Sequence, residues 1–254
     1  MTHRAQQDKH SAYYDLLDAL AQGGCPVCAM TLASVARYLG AITYEHVNVP
    51  EFRDAIVAAR GYCNDHSWQL REMRVALGVA LMYRDVVRNA AEELARHADG
   101  GNGGGRPDFF NSGRGRGGVR GRIAALAGVR PGDAHGELLD DPHRACPACH
   151  ERDRAEALYL GALLDHIGDE RLAQAFRDGG GLCLVHLDRA AATARDAPLR
   201  QLFALQRECL LRLQEELGEF IRKNDYRFQH EGMGAEGDSW IRAIETVAGK
   251  PGIR

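Results

Sequence analysis

The residues best suited to chemistry are cysteines and histidines in a repeated order. Cys25-Pro26-Val27-Cys28 is followed after 34 residues by Cys63-Asn64-Asp65-His66. Cys146-Pro147-Ala148-Cys149 is followed after 33 residues by Cys183-Leu184-Val185-His186. One Cys-x-x-Cys is a weak signal, but two matched sets of four ligands are a strong one. Three thiolates and one imidazole are a common tetrahedral set and suit zinc. Each pair is spaced i and i+3, so its members face the same way on a helical turn. Pro26 and Pro147 fit the first helical position, which puts Cys25 and Cys146 at helix N-caps. Unpaired N–H groups and the helix dipole there favour thiolate over thiol. The order along the chain implies one ion for Cys25, Cys28, Cys63 and His66. A second ion then falls to Cys146, Cys149, Cys183 and His186.

Other chemistries compete for the same residues. An iron–sulfur cluster is the main rival, since histidine can replace cysteine as its ligand. Dithiol exchange normally places Cys-x-x-Cys after a strand, whereas Cys25 follows a helical pattern and two glycines. Cys146-Pro-Ala-Cys149-His150 matches the covalent haem motif, but Ala29 stands at the corresponding place in the first copy. Buried structural thiols would not explain the repeated prolines and histidines. Cys209 has no counterpart and reads as a core thiol. Glu45 and His46 are adjacent on a helix, do not share a face, and read as surface or capping residues.

The repeat extends beyond the ligands. Tyr38-Leu-Gly-Ala41 and Tyr159-Leu-Gly-Ala162 each begin ten residues after a Cys-Pro-x-Cys, and Gly61 and Gly181 each precede the third cysteine by two positions. This order and spacing indicate a duplication. The elements that position the ligands read as helices: about Lys9 to Ala21, Pro26 to His46, Pro50 to Ala59, Asn64 to Arg96, Pro198 to Asn224 and Ser239 to Ala248. In the fourth, Trp68, Met73, Leu77, Ala80, Leu81, Val87 and Leu94 suggest the inward face. In the fifth, Leu199, Leu202, Leu210, Leu213, Leu217 and Phe220 do so. Strand signals are almost absent. The expected fold is all-α, with two helical pseudo-repeats each stapled by a Cys3His metal site. Residues 1–98 form the first module, 99–142 a flexible Gly/Arg-rich linker with a possible short helix at 123–129, and 143–254 the second module with its C-terminal helix.

The 254 residues carry a formal net charge of -3, which argues against a generally cationic nucleic-acid binder. From Arg106 to Arg130 six arginines face one acid, and Phe109 and Phe110 lie among them. Such a segment can bind RNA, though a solvated linker is the simpler reading. The N-terminus lacks a signal-peptide pattern, and no run reads as long and apolar enough to span a bilayer. A cytoplasmic location is expected, where thiols stay reduced and clustered cysteines point to metal or redox chemistry.

The pattern resembles an uncharacterised bacterial protein family. The resemblance rests on Cys25-Pro-Val-Cys28, Asn48-x-Pro50-x-x-Arg53, Gly61-Tyr-Cys63-Asn-x-His66-Ser-Trp68, the second Cys-Pro-x-Cys with Gly-x-Cys-x-x-His, and Gly237-Asp238-Ser239-Trp240. It implies no substrate or reaction. No nucleophile–base set, phosphate loop or open metal position is legible in the sequence. The expected function is therefore that of a scaffold or regulatory protein with two structural zinc ions and a protein partner. A redox or sensor protein using an iron–sulfur cluster or labile zinc thiolates is the second reading. An enzyme with a pocket between the repeats is the third.

Overall fold

A computed structural model describes residues 2–98, 146–193 and 197–253. The expected linker, its short helix and its arginines lie outside these residues. Ten α-helices occur among the described residues, without strands. They are α1 (Thr2–Ala21), α2 (Pro26–Tyr44), α3 (Pro50–Ala58), α4 (Asn64–Glu72), α5 (Ala76–Ala98), α6 (Pro147–His166), α7 (Glu170–Gly179), α8 (Leu184–Thr193), α9 (Ala197–Lys223) and α10 (Ser239–Ala248).

The chain divides into two compact units that do not follow the sequence halves. One comprises Met1–Tyr38 with Glu151–Arg254, the other Leu39–His150. The division therefore differs from the one expected at residues 1–98, 99–142 and 143–254. Both boundaries fall inside helices, in α2 and α6.

In the first unit, Leu16, Leu20, Val27, Leu163, Phe176, Leu202 and Leu205 belong to one buried cluster that also contains Cys25, Cys28 and Cys183. α1 lies along α7. Tyr13 donates its hydroxyl to Asp169 at 2.9 Å, and Asp169 caps α7 by accepting from the Leu172 N–H. Gly180, at φ 95°, ends α7 in the left-handed conformation that glycine adopts without steric cost. The Gly24 N–H then donates to the Gly179 carbonyl at 2.8 Å. α9 buries Leu202, Leu205, Gln206 and Cys209, close to the expected face.

In the second unit, the helix expected from Asn64 to Arg96 is two helices. Arg74 sits at φ 59° between α4 and α5, and this left-handed residue interrupts the helical run. The inward face also differs from expectation. Trp68, Leu77, Val87 and Leu94 are exposed, whereas Met82, Asp85 and Glu93 are buried. Ion pairs decide the orientation: Arg53 of α3 pairs with Asp85, and Arg60 pairs with Glu93 at 2.8 Å. Buried carboxylates need such partners, so α5 must turn this polar edge toward α3. On α5, Gly78 also permits a close approach to the end of α2, since a Cβ there would stand 2.8 Å from the Thr43 carbonyl oxygen.

α10 is likewise turned with an apolar side outward. Trp240, Ile241, Ile244 and Val247 are exposed, while Arg242 reaches Glu216 of α9 and Asp238. α2 corrects another expectation. It is 19 residues long with mean hydropathy 1.2, enough by length and composition alone to cross a membrane. Its apolarity has a local explanation, because Val27, Val35, Leu39 and Ile42 are all buried within the protein.

The closest backbone approach offers a test of this packing. A Cβ on Gly179 would meet the Leu20 carbonyl oxygen at 2.6 Å, whereas one on Gly161 would meet nothing within 4 Å. Gly179→Ala should cost about 1–3 kcal/mol through forced separation of α1 and α7. Gly161→Ala should be neutral or stabilising, because alanine favours the helix. Thermal melts of both variants check this, and equal midpoints would refute the tight contact.

Candidate metal centres

All eight predicted ligands are buried, and they gather in two groups of four. The first centre consists of Cys25, Cys28, Cys183 and His186, and the second of Cys63, His66, Cys146 and Cys149. The pairing is crosswise between sequence halves. This corrects the expectation that Cys25 and Cys28 join Cys63 and His66. It equally corrects the grouping of Cys146 and Cys149 with Cys183 and His186. The two Cys-Pro-x-Cys pairs are chemically equivalent, and so are the two Cys-x-x-His pairs, so spacing along the chain could not decide which of one kind meets which of the other. Packing decides it. The Gly24–Gly179 hydrogen bond lays the turn before Cys25 beside the turn that leads to Cys183.

The distances suit one ion per centre. In the first, the His186 Nδ1 lies 3.4 Å from both Cys25 Sγ and Cys28 Sγ and 3.2 Å from Cys183 Sγ. Cys28 Sγ and Cys183 Sγ are 3.6 Å apart. In the second, the His66 Nδ1 lies 3.2 Å from Cys63 Sγ and 3.5 Å from both Cys146 Sγ and Cys149 Sγ. Cys63 Sγ and Cys149 Sγ are 3.6 Å apart. A tetrahedral ion with Zn–S and Zn–N bonds of ordinary length separates its ligand atoms by about 3.5–3.8 Å. A disulfide would need sulfurs at about 2.05 Å, and all seven cysteines are unbridged.

Each pair stands at the start of a helix. Cys25, Cys63, Cys146 and Cys183 directly precede α2, α4, α6 and α8, and their carbonyls accept from residues 29, 67, 150 and 187. The second ligand of each pair follows three residues later and faces the same way. Gly61 at φ 94° and Gly181 at φ 83° make the tight entries expected before Cys63 and Cys183.

Burial and mutual hydrogen bonding divide charge unequally among the ligands. Burial, reinforced by Cys183 and Cys28, pushes the Cys25 thiol well up. Hydrogen bonds from Cys25 and Cys28 hold Cys183 far below the usual thiol range. Burial alone would lower His186, but its bonds with Cys183 and Cys28 outweigh this and raise it to about 9. In the second centre, burial pushes Cys149 up, with the Cys146 charge adding to it. Cys146 falls to about 6, because bonds from His66 and the Cys63 and Cys149 backbones outweigh burial. Several thiolates thus compete for few protons in a low-dielectric site, an environment that favours a cation.

Two sets of supporting residues went unread in the sequence. Gln206, buried in α9, accepts from the Leu182 N–H at 2.8 Å and donates to the Leu182 carbonyl at 3.0 Å. It thereby clamps the residue before Cys183. Glu156 of α6 lies beside His186 and pairs with Arg189 of α8. Nothing in local spacing announces either contact. His150 is exposed, so the haem-like motif does not bring it to the cysteines. His46 stacks on Phe52 with ring centroids 4.9 Å apart and lies 4.0 Å from Glu45, a surface arrangement. Cys209 is buried in the core, as expected.

The chain belongs to a family of unknown function, DUF6062, which it matches over residues 14–252. Neither a curated protein nor a solved structure matches it.

Paired substitutions separate crosswise from within-half ligation. Cys25→Ser with Cys183→Ser should remove one bound ion and leave the second. Cys25→Ser with Cys63→Ser should remove both, because it damages both centres. Metal content per chain reads the difference, and the reverse result would restore within-half pairing. Metal affinity should also fall as pH drops. The raised thiols of Cys25 and Cys149 carry protons that an ion must displace, so acid favours the protonated ligands. Proton release measured by calorimetry in buffers of different ionisation enthalpy checks the sign. Binding that is independent of pH between about 6 and 8 would contradict it.

Proposed function

We propose that this protein is a cytoplasmic scaffold or regulatory interaction protein whose two Cys3His centres each hold a structural zinc ion. The observation that carries the reading is closure. Each centre supplies four ligand atoms lying within 4.8 Å of one another, and all eight ligand residues are buried. A four-coordinate ion in such a cage has no open position for substrate, unlike a catalytic zinc with three protein ligands and water. Sulfurs at 3.6 Å favour a shared single ion over a cluster, whose sulfides and irons would hold the cysteines further apart. Reduced thiols accord with a cytoplasmic setting.

The interaction role is supported by apolar area left on the surface. Trp240, Ile241, Ile244 and Val247 of α10 are exposed. A helix with its apolar face outward suits a protein partner.

A second reading, redox sensing, is favoured by one observation. A cleft with a cavity of about 50 Å³ is lined by Cys25, Cys183, Cys209 and Arg212 among others. It gives a small oxidant a route to the first centre.

Metal analysis of protein purified without air distinguishes the readings. Structural zinc predicts two zinc ions per chain, matching the two centres, and no visible absorbance. Iron with inorganic sulfide and a brown colour would overturn it. Mild peroxide should leave the zinc in place, and rapid loss of one ion would favour the sensor. For the interaction role, a photo-crosslinking residue at Ile244 should give a discrete adduct in cells that Trp240→Ala weakens. A chain that stays uncrosslinked would count against the scaffold.

A further inference from the structure

The two centres share a donor set but not their surroundings. His186 is fully buried, and its Nδ1 faces the three sulfurs of the first centre. Its other nitrogen, Nε2, lies 3.5 Å from Glu156 Oε1. No hydrogen-bond partner satisfies this Nε2, and Glu156 Oε1 is in the same condition. Glu156 is only 5% exposed, and its second oxygen is held by Arg189, one turn beyond His186 on α8. A buried carboxylate is costly unless something nearby needs its charge, and here a guanidinium and an imidazole both approach it.

The sequence repeat shows what is special about this arrangement. Glu156 stands seven residues after Cys149, and the residue seven after Cys28 is Val35. Arg189 stands three residues after His186, and the residue three after His66 is Gln69. The first half therefore has no carboxylate–arginine pair at the matching positions.

We infer that Glu156 is a positioning residue for His186, and that it makes the centre of Cys25, Cys28, Cys183 and His186 the tighter of two unequal metal sites. The inference rests on the reading that both centres hold ions. A carboxylate that accepts the Nε2–H fixes the tautomer in which Nδ1 offers its lone pair, locks the ring orientation and makes the ligand more basic. Arg189 anchors the carboxylate through one oxygen and leaves the other to the ring. The protein would then carry one slowly exchanging ion and one that a competitor removes sooner.

The test begins with metal content. Less than two zinc ions per chain would overturn the two-ion reading, and this inference with it, before any rate is measured. Fully loaded protein is next mixed with excess chromogenic chelator. Release should occur in two phases, and Cys63→Ser should abolish only the fast one. Glu156→Gln should speed the slow phase about tenfold and Glu156→Leu up to about a hundredfold, with the fast phase unchanged. In cadmium-loaded protein, Glu156→Gln should shift only the cadmium-113 resonance that Cys25→Ser removes. A slow phase insensitive to Glu156→Gln, equal acceleration of both phases, or slow release from the Cys63 centre would each overturn the inference. Should Glu156→Leu fail to fold, Glu156→Gln decides alone, since it keeps the side-chain shape while removing the charge and one acceptor oxygen.

Discussion

Four ligand atoms must meet within one bond-length of a common point, and this requirement organises the fold. Thiolates taken out of water repel one another and lose hydration, so they stay together only around protons or a cation. The chain meets the demand by reusing one device four times. A cysteine ends a turn, a helix starts, and the second ligand follows at i+3. The helix N-terminus supplies partial positive charge at the place where thiolate must survive burial. Everything else in the two units has to bring these helix starts together in pairs.

Crosswise pairing changes what the centres do for stability. Cys28 and Cys183 are separated by 155 positions, and Cys63 and Cys149 by 86. Ligation within a half would close loops of only about 35 residues. Loop-closure entropy grows logarithmically, so the longer closures restrict the unfolded chain by only about 1 kcal/mol more per centre. The larger consequence is topological. Helices distant in sequence must be correctly placed before either site is complete, so metal binding rewards the finished unit rather than a local hairpin. This also explains why the compact units cut across the repeat, with each unit enclosing one complete centre.

The sequence revealed which eight cysteines and histidines gather in two groups, because residue type and spacing are local and were duplicated. It revealed the helices for the same reason, including the proline starts of α2, α3 and α6 and the glycine turns before Cys63 and Cys183. It did not reveal which pairs meet, since equivalent pairs carry no label. The break at Arg74 was hidden because arginine is a good helix former, and nothing in its type announces a positive φ. The orientation of α5 was misjudged because apolar periodicity was taken to mark the core. Asp85 and Glu93 instead turn inward to meet Arg53 and Arg60. That outcome depends on the position of α3, which no window along α5 contains.

The repeat is most informative where it fails. Its preserved positions are the ligands and the turns that present them, which is what identical chelation requires. Its departures at Glu156 and Arg189 collect at the first centre. Gln206 of α9 adds its clamp on Leu182 there. A purely structural duplication has no physical need for a buried carboxylate at one of two matching positions, because two equal staples would stabilise their units equally well. An unequal pair is useful when one ion must persist while the other responds to metal supply. The carboxylate that would favour retention and the small cleft beside Cys25 and Cys183 therefore belong to the same centre.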